Sequence, residues 1–250
     1  MMTMARTTKT TRRSPALRKS NRRSTGPDRK VPAPQGTDVS EPPHDCSACP
    51  RLHAFIAAQR KIEPDWHNGP VRSFGDRSGA LLIVGLAPGM RGANRTGRPF
   101  TGDFAGDLLY ATLKKYGFSK GAYRARPDDG VELINCLLTN AVRCVPPQNK
   151  PTPLEIRTCR PFLINVMREM PNLKAVAVLG RIAHETLLRT LDLRLAAHPF
   201  GHGAQHDLVF EGRALTVFDS YHCSRYNTNT GVLTEEMFHA VFDAIARAVK

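Results

Sequence analysis

The 250-residue sequence predicts an α/β fold with a central, mostly parallel four-stranded sheet. Short runs of branched apolar residues recur along it, of a length that suits buried strands. Longer segments with apolar residues at helical spacing separate them. Glycine, proline and asparagine collect where the apolar runs end and mark the turns. Strands alternating with helices in this way build a parallel sheet covered by helices.

The elements follow in order. Residues 1–40 are rich in Thr, Ser, Arg and Pro and have no hydrophobic period. They bury too little surface to offset the entropy of ordering. They are expected to be a disordered basic arm, with 41–250 as the folded domain. Order is expected to begin near "HDCSACPRLHAFIAAQR", where Asp45 and Ser47 can cap a helix running to about Lys61. "ALLIVGL" (80–86) reads as a strand buried on both faces. A glycine-rich loop follows it. "GDFAGDLLYATLKKYGF" then places Phe104, Leu108, Leu109 and Leu113 at helical spacing, with Gly117 as the stop. "VELINCLLTNAV" (131–142) is the second strand. Thr152, Pro153 and Glu155 form a capping box ahead of a helix that Pro161 should kink or delay. "KAVAVLG" (174–180) is the third strand, and the helix "RIAHETLLRTL" follows. "DLVFEGRALTVFDSYH" reads as a hairpin with a Glu-Gly turn, its second arm being the fourth core strand. "TEEMFHAVFDAIARAV" closes the chain as a helix.

Sites in parallel sheets form beyond the carboxyl ends of the strands. Three loops leave those ends, 85–103, 140–150 and 222–231, and they should converge on one crevice. The first resembles a phosphate-binding loop, but Arg98 and Pro99 stand where Lys and Ser/Thr are needed. Gly85, Gly89 and Gly92 also have the wrong spacing for a dinucleotide loop. A structural loop or the wall of a pocket remains. In the second loop Asn140 is either a turn former or an amide presenting both a donor and an acceptor. In the third, His222 is either a satisfied turn residue or, with Ser224, Arg225 and Tyr226, a contact for a phosphate backbone and a base.

Charge and cysteine content narrow the class. The net charge is +14. The arm alone holds ten Lys/Arg against Asp28 and Asp38, so it supplies more than half of that excess. A basic arm on a basic domain, with no amphipathic pattern in the arm, points to nucleic acid rather than to a lipid surface. No apolar run is long enough for a membrane-spanning helix, and the N-terminus lacks the apolar stretch of a secretory signal. The expected location is inside a cell, where six cysteines suggest metal or cluster ligation or plain burial rather than disulfides. Cys46 and Cys49 form a C-x2-C, followed later by Cys144 and Cys159. Four such thiolates suit an iron–sulfur cluster or tetrahedral zinc.

These stretches together resemble the uracil-DNA glycosylase superfamily, and within it family 5 (type B). The similarity is carried by "FGD" (74–76), "LLIVGLAPG" (81–89), "GANRTGRPFTGD" (92–103), "LTNAVRCVPPQNKPTPLEI" (138–156) and the His222-Cys223-Ser224 loop. It spans about Cys46 to Lys250. The resemblance implies a single three-layer α/β/α domain with a [4Fe–4S] cluster on Cys46, Cys49, Cys144 and Cys159, leaving Cys136 and Cys223 unligated. It implies a monofunctional DNA-repair glycosylase. Such an enzyme hydrolyses the N-glycosidic bond of uracil, and of other deaminated bases such as hypoxanthine and xanthine, leaving an abasic site. Asp103 would orient water or stabilise the cationic sugar, with Asp107 as its rival, and His222 would donate to the leaving base. Phe100 would stack on the extruded base and Asn140 would read its edge, with Gly85 and Ala87 beside it. Arg91, Asn94, Arg98, Ser224, Arg225 and Tyr226 would meet DNA. The implied partner is DNA, double- or single-stranded; the implied state is a cytoplasmic, nucleoid-associated monomer.

Two departures stand out. Leu86 occupies a position where related families place an acidic or amide side chain, although family 5 typically lacks one there. Cys223 replaces the usual Pro and frees the backbone beside His222. Both also suit a non-catalytic iron–sulfur protein that binds lesions. The motifs place no lysine to form a Schiff base, so strand cleavage is not expected.

Overall fold

The computed structural model describes residues 40–250; the expected basic arm, Ser40 apart, lies outside the described residues. In chain order the elements are α1 (Pro50–Ile62), β1 (Phe74–Gly75), β2 (Leu81–Gly85), α2 (Ala93–Thr96), α3 (Phe104–Lys115), β3 (Ser119–Lys120), β4 (Glu132–Leu133), β5 (Cys136–Asn140), α4 (Pro153–Arg168), β6 (Ala175–Leu179), α5 (Arg181–Thr190), β7 (Gln205–Phe210), β8 (Arg213–Ser220), α6 (Arg225–Asn229) and α7 (Glu235–Ala248).

The main sheet runs β1-β5-β2-β6-β8-β7. Its four inner strands are parallel, and each edge strand is antiparallel to its neighbour. The sheet is therefore mixed and six-stranded, not four-stranded as expected. The expected four are its parallel centre. β1 has only two residues and no apolar run to betray it. β7 is the first arm of the hairpin and is buried only on alternate residues near its end, so it reads as cover rather than core. The hairpin turns at Glu211 and Gly212, both with positive φ. The run 131–142 also breaks in two. Asn135 turns the chain with a φ of 54°, and its side-chain oxygen accepts the Ala80 N–H at 2.8 Å. β4 then pairs with β3 in a separate two-stranded sheet.

Alternation along the buried strands builds two cores. Leu81, Ile83, Leu138, Ala175, Ala177 and Phe218 pack against α3 and α7. Leu82, Val84, Leu137, Val176, Val178 and Val217 pack against α4 and α5. The result is three layers, helices on both faces of the sheet. The capping box at α4 is present: Thr152 accepts the Glu155 N–H, and Glu155 accepts the Thr152 N–H at 2.7 Å. α4 runs through Pro161 to Arg168 as one helix. α1 starts one turn later than Asp45 and Ser47 suggest. Pro50 sets its first turn, Cys49 occupies the N-cap position, and no side chain caps it. Among the described residues no helix is long and apolar enough to cross a membrane.

Candidate active site

The three loops do converge. Residues from 86–105, Asn140 and Asn149, and His222, Ser224 and Arg225 line one cleft of about 660 Å³ beyond the carboxyl ends of the parallel strands. Its floor follows from strand register. Gly85 ends β2 directly opposite Asn140, which ends β5. A Cβ at Gly85 would lie 2.6 Å from Asn140 Oδ1 and 2.6 Å from Phe100 Cζ. Glycine is thus the residue that lets an amide and an aromatic ring share this floor. Gly85→Ala is expected to keep the fold, at a cost of about 1–3 kcal/mol, yet to misplace Asn140 or Phe100. Displacement by about an ångström costs roughly 100-fold in kcat/KM, which steady-state kinetics beside a thermal melt would check.

Phe100 has a φ of 51°, an outlier for a bulky residue, and is 7% exposed. The corner is held by its neighbours. Tyr110 donates to the Pro99 carbonyl at 3.0 Å, and Thr101 donates to the same oxygen. Arg98 underpins them. Its guanidinium forms two 2.8 Å bonds to Asp129 and lies 5.1–5.8 Å from the ring centres of Phe74, Tyr110 and Tyr123.

Arg98 is thereby corrected from a DNA contact to an internal strut, since only 4% of it is exposed and Asp129 neutralises it. Asn94 is corrected likewise. It is fully buried, and its side-chain amide donates to Asn68 Oδ1 at 2.9 Å, so it cannot meet DNA. Arg98→Ala leaves Asp129 as a buried, unpaired carboxylate. It is expected to cost about 3–5 kcal/mol in denaturant unfolding.

Asp103 sits at the N-cap position of α3, but its side chain does not cap the helix. It leans instead on the first loop. A Cβ at Gly92 would lie 2.2 Å from Asp103 Oδ2, and one at Gly89 2.8 Å. Those two glycines make room for a carboxylate. Oδ1 is buried and accepts no hydrogen bond among the described residues. Burial raises the pKa, and the N–H groups of Gly106 and Ala105 offset this only in part. Asp107 is exposed and outside the cleft lining.

His222 lines the same cleft, and burial lowers its pKa, so it is neutral at pH 7. Its carbonyl accepts from Asn227 at 2.8 Å, and Ser224 caps α6. Cys223 does not loosen this loop. It is fully buried, and its thiol donates to the Ala105 carbonyl at 3.4 Å, tying the loop to the start of α3.

Arg91 and Arg225 are exposed cations in the cleft wall, and Arg225 lies over the Phe104 ring at 5.3 Å. Tyr226 is 73% exposed and lies outside the cleft lining. Ala87 and Leu86 both line the cleft.

The family model described as the Uracil DNA glycosylase superfamily matches residues 72–246, which takes in all three loops. The chain belongs to that superfamily. It is 47% identical over 199 residues to the type-5 uracil-DNA glycosylase of Thermus thermophilus, covering 77% of this chain and 89% of that protein. It is 38% identical over 196 residues to the type-5 enzyme of Pyrobaculum aerophilum, covering 77% and 84%. The type-5 enzyme of Mycobacterium tuberculosis is 38% identical over 206 residues, covering 79% and 75%.

Two clusters of ligand-type side chains accompany this superfamily domain. Cys46, Cys49, Cys144 and Cys159 line one small cavity with Leu52, Val142 and Phe162. The Arg143 backbone N–H donates to Cys159 Sγ at 3.3 Å. The sulfurs do not close to the spacing of ligands on a single ion. Among the described residues, the group whose ligand atoms all lie within 4.8 Å of one another is His184, His206 and Asp219. That second cluster was not anticipated, because its members are scattered through a helix and two strands. Phe104 and Asn149 were also missed in the cleft wall. Asn149 had a local signal: it follows Pro146-Pro147, and both Gln148 and Asn149 turn with a φ of 56°.

Proposed function

We propose that this chain is a type-5 uracil-DNA glycosylase. It hydrolyses the N-glycosidic bond of uracil, and of other deaminated bases such as hypoxanthine and xanthine, in DNA. The observation that carries this reading is a half-buried carboxylate, Asp103, whose buried Oδ1 has no partner, in the same cleft as a neutral histidine and a floor of Phe100 and Asn140. A carboxylate oxygen left buried without a partner is costly and is retained where its charge is used.

The chemistry follows. The target nucleotide leaves the duplex stack and enters the cleft. Phe100 stacks on the base, and the Asn140 amide pairs with its edge. The C1′–N bond breaks, its electron pair leaves with the base, and the sugar becomes cationic. His222, neutral, donates an N–H to the base oxygen where the negative charge collects. Asp103, ionised, steadies the cationic sugar and accepts a proton as water adds to C1′. That proton passes through solvent to the base anion, Asp103 is ionised again, the neutral base departs, and an abasic site remains. Arg91 and Arg225 are placed to neutralise phosphates beside the lesion. Ser224 and Tyr226 belong to the same face by sequence. Leu86 gives the wall an apolar surface that tolerates several bases.

The four-cysteine cavity suits a [4Fe–4S] cluster better than zinc. Its donors are all thiols, its walls are apolar, and one sulfur accepts a backbone N–H. A single zinc would draw four sulfurs closer together than they lie. The cluster would serve as a structural staple, fastening the start of α1 to the loop after β5 and to α4.

The test is base release from duplexes containing uracil, hypoxanthine or xanthine, with Asp103→Asn and His222→Ala alongside. Abasic sites without strand cleavage are expected from the parent protein. Tight binding to uracil-DNA without turnover would instead favour the non-catalytic lesion binder. Absence of both would sink the reading altogether.

A further inference from the structure

Behind the cleft, and separate from it, lies a buried cluster that the glycosylase chemistry does not use. Asp219, near the carboxyl end of β8, is fully buried. Its Oδ1 accepts from His184 Nδ1 at 2.7 Å, and its Oδ2 accepts from His206 Nε2 at 3.1 Å and from the Gly201 N–H at 3.3 Å. His184 is 1% exposed, and its Nε2 donates to the His198 carbonyl at 2.9 Å. That last bond fixes the tautomer. With the proton on Nε2, Nδ1 has a lone pair directed at Asp219 unless the ring carries a second proton. An imidazole whose far nitrogen donates to a backbone carbonyl is the usual outer arrangement of a metal-bound histidine.

We propose that His184 Nδ1, His206 Nε2 and an Asp219 oxygen form a binding site for one divalent transition metal, zinc by ligand type. Two imidazoles and a carboxylate are the donor set that zinc accepts, with a fourth position left for water. The three donors already lie within 4.8 Å of one another. Bonds of 2.0–2.1 Å in a tetrahedral site would set them about 3.3 Å apart; the two histidine–carboxylate distances, 2.7 and 3.1 Å, lie on the lower side of that spacing, and side-chain rotation within the cluster would complete it. The charge bookkeeping is also favourable. A buried Asp219 is otherwise neutralised by a shared proton on His184, and a metal would take that proton's place. His206 is the ligand with residual exposure, its side chain 9% accessible, and offers the way in. The site would clamp α5, β7 and β8 together three residues before His222. It lies toward the β8–β7 edge of the sheet, whereas the four cysteines gather near β5 toward the other edge.

The test uses the full chain as purified, titrated with cobalt(II) and followed by visible absorbance, then back-titrated with zinc. Cobalt on nitrogen and oxygen ligands gives ligand-field bands without thiolate charge transfer, which distinguishes this site from the cysteines. One equivalent of such a species, displaced by zinc, is expected. His206→Gln should weaken it by more than the roughly 10–100-fold that loss of an outer partner costs, with iron content unchanged. Asp219→Asn is a second, more disruptive variant. Binding only with thiolate bands, no saturable binding, or equal affinity in His206→Gln would overturn the proposal and leave the trio as a proton-sharing network. Base release is a separate readout, so failure here leaves the glycosylase reading standing, and the reverse.

Discussion

Asp103→Asn is expected to lower base release from uracil-containing duplex DNA about 10²–10⁴-fold, with a melting temperature at pH 7 no lower than the parent's. The two results belong together. Asp103 is half-buried, and its buried Oδ1 has no partner, so the folded chain holds its proton more tightly than the unfolded chain does. Between the ordinary carboxylate pKa and the raised one, the native state binds more protons. Stability therefore falls as pH rises through that window. At neutral pH an ionised Asp103 is a cost that the amide removes. Activity has the opposite dependence. It needs the ionised form, so base release should fall on the acid side at a pH above that of an ordinary aspartate, and this acid limb should vanish in the variant. Gly92→Ala is a second route to the same end. Its Cβ would lie 2.2 Å from Oδ2 and must displace the carboxylate without removing it. Full activity in Asp103→Asn would transfer the role to another group. An inactive variant that is also markedly less stable would mean that Asp103 serves the fold.

The parts of this site that the sequence discloses are those set by local pattern. Buried strands follow from unbroken apolar runs, and topology then sends three loops to one edge. That is why the loops bearing Phe100, Asp103, Asn140 and His222 are expected in one cleft, while it is the family resemblance that singles out Phe100 and Asp103 within them. What the sequence conceals is pairing over distance. Arg98 and Asn94 look like DNA contacts because they sit in a basic loop beside a pocket. Asp129 and Asn68, which claim them, lie in segments with no pattern of their own. The same holds for Cys223. A thiol where proline is usual reads as a loosened backbone, yet its bond to the Ala105 carbonyl depends on how α3 meets the loop. By sequence the glycines of the first loop suit a structural loop or the wall of a pocket. Gly89 and Gly92 instead clear space for Asp103, which is visible only once the side chain has a position. The edge strands escaped for a different reason: β1 is too short, and β7 too exposed, to carry a hydrophobic signature.

Cys159→Ser is expected to strip iron and visible colour from the purified protein and to lower its melting temperature by roughly 10 °C, equivalent to about 3–5 kcal/mol at 2–4 °C per kcal/mol. Cys159 comes from α4, Cys144 from the loop after β5, and Cys46 and Cys49 from the segment ahead of α1. These segments share one small satellite core with Leu52, Ile56, Val142, Val145 and Phe162. Beyond this core, α1 is held by polar contacts, among them Arg60 to the Asn68 carbonyl at 2.8 Å and to the His44 carbonyl at 3.0 Å. Arg51 bonds Glu155 at 2.7 Å through both nitrogens, but Arg51 is half exposed, and such a pair is worth only about a kcal/mol. The loss should also reach the cleft. Ala87 and Met90, from the loop that carries Phe100 and Asp103, pack on this same core. Loosening it should therefore raise KM for uracil-DNA more than it lowers kcat in the protein that remains folded. Cys136→Ala is the control. Its thiol is buried in β5 and donates to the Phe118 carbonyl at 3.5 Å, and it does not line the cavity of the four cysteines. It should retain iron in full. If Cys159→Ser keeps its iron, or Cys136→Ala loses it, the ligand assignment is wrong. If iron is lost with KM unchanged, the satellite core stabilises the chain without steering the loop that holds the base.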